Sequence, residues 1–123
     1  MDIKKIKFAR TVYAERQLAK MCPNNKISEI GKLLSNPDFI KQTDSLFQVF
    51  DIMHRAYEMR AKFEDPENFE PVEFSREMFE CLTDTELEEM TNLAFENFEK
   101  DGRTEIETQK KKEEENQEMN ESI

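Results

Sequence analysis

Apolar side chains along this chain recur at three- and four-residue steps much more than in alternation, the period of helices that bury one face. Phe8, Val12, Leu18, Ala19, Met21 and Cys22 form a first, imperfect stripe stopped by Pro23-Asn24-Asn25, which predicts a helix over about residues 9 to 22. Asn25 can cap a short second helix carrying Ile27, Ile30, Leu33 and Leu34, closed by Ser35-Asn36-Pro37. The same tripeptide opens the next element, with Asn36 as N-cap, Pro37 in the first helical position and Asp38 in the first turn. That third helix, over about residues 37 to 62, is the longest. Phe39, Leu46, Phe50, Met53 and Tyr57 share its stripe, and Ile40, Phe47, Val49 and Ile52 widen it. It is expected to be the central core helix, broad enough that part of its apolar face serves an oligomer or partner contact.

Phe63 to Val72 is acidic, contains Pro66 and Pro71, and reads as a connecting loop that a partner could order. Phe74, Met78, Phe79, Cys81 and Leu82 fit a short helix capped by Ser75, with a strand over residues 71 to 74 left open as an alternative. Thr83-Asp84-Thr85-Glu86 has the spacing of a capping box, in which the Thr bonds forward and the Glu bonds back. A last amphipathic helix follows, with Leu87, Met90, Leu93, Ala94, Phe95 and Phe98 on its buried stripe and Asp101-Gly102 at its end. Beyond Arg103 the only large apolar residues are Ile106, Met119 and Ile123, so no core can form there. The expected fold is all-α: a small single-domain bundle of about four to five helices over residues 1–102, followed by a charged tail over 103–123, disordered or extended as a helix.

Composition narrows the class. Only 2 Gly and 4 Pro occur in 123 residues, too few for the regular turns of a β-sandwich or barrel. No run of about 18 apolar residues is present for a membrane span, and Met1-Asp2-Ile3-Lys4-Lys5-Ile6 lacks the apolar stretch of a secretory signal, so an intracellular, membrane-free protein is expected. The formal charge of -10 is unevenly placed. Residues 1–62 hold 12 basic and 7 acidic side chains, residues 63–100 hold 2 and 13, and residues 101–123 hold 4 and 8. An acidic chain is poorly suited to nucleic acid, and the basic first half can instead attract the acidic second half of another copy, giving a possible homo-oligomer.

The residues that could carry chemistry are few. With 2 Gly there is neither a phosphate-binding Gly-rich loop nor a dinucleotide fingerprint. Cys22 and Cys81 lie far apart without CxxC spacing and read as buried thiols. His54, the single histidine, could meet either cysteine in space, but the simpler reading is a surface or packed histidine whose removal costs little. Asn97, Glu99, Asp101, Gly102 and Glu105 follow part of a calcium-loop pattern, yet Thr108 stands where the bidentate Glu belongs, so a helix end is preferred. Glu86, Glu88, Glu89, Glu96 and Glu99 lack a Glu-x-x-His companion and read as a solvated face. No catalytic residue, metal or cofactor is expected, and the candidate partner-binding residues are Phe47, Phe50, Tyr57, Phe95 and Phe98.

The order of elements carries a further signal. The stretch Phe8-Ala9-Arg10-Thr11-Val12-Tyr13-Ala14-Glu15-Arg16-Gln17-Leu18-Ala19 is followed by a long helix ending in Met53-His54-Arg55-Ala56-Tyr57-Glu58. Then come Phe79-Glu80-Cys81-Leu82-Thr83-Asp84-Thr85-Glu86-Leu87-Glu88-Glu89-Met90, an acidic helix and a charged tail. Over about residues 8 to 100 this resembles the tail assembly chaperones of long-tailed bacteriophages, in pattern and size. The resemblance implies a non-enzymatic function: binding and solubilising the tape measure protein and helping to recruit tail tube subunits. It places the protein in the host bacterial cytoplasm and not in the mature virion. It also implies a longer frameshifted product, for which Lys110-Lys111-Lys112 would supply A-rich codons. Two other readings fit the same features: an acidic helical regulatory adaptor, or an inhibitor, including a DNA mimic, that binds a single protein partner.

Overall fold

A computed structural model of the chain describes residues 2–100, with side chains through residue 96. Among these residues there are five α-helices and no strand: α1 (Val12–Lys20), α2 (Ile30–Leu34), α3 (Phe39–Glu64), α4 (Arg76–Glu80) and α5 (Asp84–Lys100). Short 3-10 turns occupy Ile3–Lys5, Pro23–Asn25 and Ile27–Glu29. The expected all-α bundle with a long central helix is the architecture observed. The tail over 103–123, the Asp101-Gly102 helix end and the side chains of the calcium-loop pattern lie outside the described residues.

Local side-chain chemistry sets most helix starts. Thr11 Oγ1 accepts from the Ala14 N–H at 3.2 Å, so α1 begins at Val12 and leaves Phe8 and Ala9 in an extended lead, three residues later than the stripe suggested. The cap of α3 is Asp38, whose Oδ1 accepts from Ile40 N at 3.0 Å and Lys41 N at 3.3 Å. Asn36 acts one step earlier, accepting from Asp38 N at 2.8 Å, so Pro37 sits in the turn and not in the helix. Ser75 caps α4 through the Met78 N–H, as expected. Before α5 the capping box is complete: Thr83 N–H donates to Glu86 Oε1 at 3.0 Å, and Glu86 N–H donates to Thr83 Oγ1 at 3.2 Å.

Helix α3 runs on to Glu64, past the expected loop start at Phe63. The breaker is Pro66, which disfavours helical backbone at Asp65; that residue takes φ -146° and ψ 75°. Between α1 and α2, Asn24 and Asn25 both adopt φ 56°, the left-handed region that Asn tolerates best among residues with a Cβ.

The core gathers on the middle of α3. Val49, Phe50, Met53 and Ala56 are buried there, joined by Ala14 and Leu18 of α1, Phe79 of α4, and Met90 and Ala94 of α5. Phe50 is the hub of an aromatic cluster, with ring centroids 5.6 Å from Phe8, 6.0 Å from Phe79 and 6.5 Å from Phe74. Full burial of such a side chain contributes about 1.5–3 kcal/mol from removal of apolar surface alone. Val12, placed on the first stripe by sequence, is instead 75% exposed, because Ala14 and Leu18 take the face of α1 turned to α3.

The lead before α1 is part of this core. Ile3, Ile6 and Phe8 are buried while Lys4, Lys5 and Lys7 are exposed, and the Ile3–Lys5 turn packs against α5. Ala9 N–H donates to Met53 O at 3.0 Å, fastening the lead to α3. His54, only 4% exposed, lies with Nδ1 2.8 Å from Lys7 O and Nε2 2.6 Å from Val72 O. Its removal would empty a buried position between two segments and take the ring's donor from a part-buried carbonyl, which corrects the expectation of a dispensable histidine.

Candidate partner-binding surface

Helix α3 is 26 residues long, about 39 Å at 1.5 Å per residue, whereas α1 has 9 residues and α5 has 17. Among the described residues, its neighbours do not cover it from end to end. At its start, Phe39 is 67% and Ile40 71% exposed; near its end, Met59 is 54% and Phe63 88% exposed. The two pairs make separate apolar patches on the same rod. Phe39 borders a groove of about 210 Å³ lined also by Phe79, Leu82 and Leu87, and Met59 borders one of about 290 Å³ with Tyr13, Lys62 and Phe69.

The five candidate residues divide between core and surface. Phe50 has no exposed surface, so in the folded chain it is a core residue and offers nothing to a partner. Phe47 is half-buried, 5.6 Å from the Phe74 ring and 5.4 Å from Phe79, and the Arg76 guanidinium lies 5.3 Å above it. Asp44 and Glu80 fix that guanidinium at 2.5 and 3.0 Å, so Phe47 sits beneath an ion-paired cation. Tyr57, 38% exposed, lines a groove of about 490 Å³ with Ile6, Phe8 and Leu93. Phe95 on α5 is 37% exposed. The Phe98 side chain lies outside the described residues. Sequence reasoning placed Phe39 and Ile40 on the buried stripe and Phe63 in a loop. The signal that would have marked them is the excess length of α3 over every other helix.

The titratable groups favour structural roles. Asp44 and then Glu80 hold Arg76 charged, raising its pKa, and Glu29 does the same for Lys32 through a contact of 2.9 Å. Burial, and then the nearby Glu29 charge, push the Cys22 thiol up, and its Sγ–H donates to Leu18 O at 3.4 Å. Cys81 is exposed, contrary to the expectation that both thiols are buried, because it lies just past the end of α4 with Phe79 turned inward in its place. Both ring nitrogens of His54 face backbone carbonyls, so neither is directed at a thiol. Among the described residues no group of three His, Cys, Asp or Glu side chains is placed to hold a metal ion, and no helix is long and apolar enough to cross a membrane.

No family model, curated protein or solved structure matches this chain.

Proposed function

We propose that this protein is a non-enzymatic phage tail assembly chaperone that binds apolar helical stretches of the tape measure protein, keeps them soluble and helps bring tail tube subunits to them. The observation that carries this reading is the pair of apolar patches at the two ends of α3, Phe39 with Ile40 and Met59 with Phe63, on a domain whose core is already filled. A helix with an apolar stripe can lay that stripe against such patches. The formal charge of -10 would keep the loaded complex dispersed. This reading places the protein in the host cytoplasm, where tails are assembled, and outside the finished virion.

Co-expression with a candidate tape measure protein tests it. Several copies should bind each client and hold it in the soluble fraction. The double variant Phe39→Asp, Phe63→Asp should keep its helical circular dichroism and lose the client. A chain that leaves the client insoluble at every ratio, and instead binds one regulatory protein one to one, is the acidic adaptor or inhibitor.

A further inference from the structure

His54 is the only histidine in the chain, and both of its ring nitrogens lie at hydrogen-bond distance from backbone oxygens of different segments. Lys7 O belongs to the N-terminal lead, 47 positions away, and Val72 O to the connection between α3 and α4, 18 positions away. A carbonyl oxygen only accepts, and a neutral imidazole has one N–H donor and one lone pair. The neutral ring therefore turns a lone pair onto a part-buried carbonyl at 2.6 or 2.8 Å, whichever tautomer it takes. The doubly protonated ring donates to both. Glu58, one turn further along α3, supplies the counter-charge: its Oε2 lies 3.6 Å from Nε2 and accepts from Val72 N–H at 2.6 Å.

We infer that His54 is a proton-operated latch: as an imidazolium it ties the N-terminal lead and the α3–α4 connection to α3, and loss of one proton releases them. The proton reaches the ring through a cleft of about 440 Å³ that His54 helps to line. The charged groups around that cleft come from every segment it joins: Glu58 from α3, Lys5 and Lys7 from the lead, Asp65 and Glu70 from the connection. Release would uncover what the lead now seals, since Ile3, Ile6 and Phe8 are buried with Phe50 and Met53 in one cluster.

The test uses the full chain. Long-range proton–nitrogen NMR of the single histidine should show hydrogen on both ring nitrogens at about pH 6, and amide-exchange protection factors at Ala9 and Val72 should fall roughly tenfold or more between about pH 6 and about pH 8.5. Both amides are hydrogen-bonded in the latched state, to Met53 O and Glu58. In His54→Gln, which has no proton to lose, protection at these two amides should be low and the same at both pH values. A ring with a single hydrogen at the lower pH, pH-independent protection in the native chain, or native-like protection in His54→Gln would each overturn the latch. The ring spectrum needs no variant, so a poorly folding substitution leaves the proposal open to refutation.

Discussion

The middle and the ends of α3 are built from the same kinds of residue and meet opposite fates. Between Val49 and Ala56, Phe50 and Met53 are sealed on all sides by α1, α4, α5 and the N-terminal lead. At the ends, Phe39, Ile40, Met59 and Phe63 stand largely in water. Helical periodicity is continuous through both regions, so periodicity does not decide burial. What decides it is the length of the elements that can be laid alongside.

The largest expected effect lies in the middle. Phe50→Ala should lower the unfolding free energy by about 3–5 kcal/mol, since a cavity opens among Phe8, Phe74 and Phe79 whose positions are fixed from separate elements. Urea unfolding followed by circular dichroism measures it. A change below about 1 kcal/mol would mean that the aromatic cluster collapses around the loss and that the middle of α3 is no better packed than its ends.

The next effect concerns an element that covers the middle. Thr83→Ala removes the acceptor for the Glu86 N–H and half of the reciprocal box at the start of α5, and should cost about 1 kcal/mol. Asp84→Asn, which keeps a good residue in the first turn, should cost less in the same urea experiment.

These caps are legible in the sequence alone, because they depend on residues three apart and on nothing else. Ser75, Thr83 and Glu86 act where their spacing placed them. The start of α3 was legible only to within two residues, since Asn36 and Asp38 are both capable caps and the turn geometry chooses between them. Neither the buried lead nor the contacts of His54 could be read, because both join segments far apart in the chain. Of the candidate surface, Tyr57 and Phe95 stand partly exposed, while Phe50 proved to be core. Phe39, Ile40, Met59 and Phe63 were not legible as exposed because the sequence does not state which stretches of α3 the other elements cover.

The two cysteines give the same contrast in reactivity. Burial and the Glu29 charge raise the Cys22 pKa, which lowers its thiolate fraction at any pH below the raised value, whereas Cys81 is exposed. A thiol reagent at neutral pH should therefore label Cys81 first, and Cys22 only when the chain opens. Equal rates would show that the α1 end of the core opens as readily as the surface past α4.

The smallest effect on stability should be at Phe63. Its side chain is 88% exposed near the last turn of α3, so Phe63→Gln removes little buried area and should stay within about 0.5 kcal/mol of the native chain. Its helical propensity is no worse than that of Phe, so the helix end has no reason to fray. If the exposed ends of α3 are kept for a partner, this near-neutral change should still weaken client binding, and Phe95→Glu on α5 should do so as well. A matched polar change at an exposed polar site on the same helix, such as Gln48→Ser, should leave binding intact. The comparison then turns on one pair of numbers for each variant, stability and client retention. The middle of α3 should lose both together, and its ends should lose retention alone. If Phe63→Gln retains the client fully while Phe50→Ala loses it only in proportion to unfolding, the ends of α3 are surplus surface and the binding face must be sought elsewhere on the bundle.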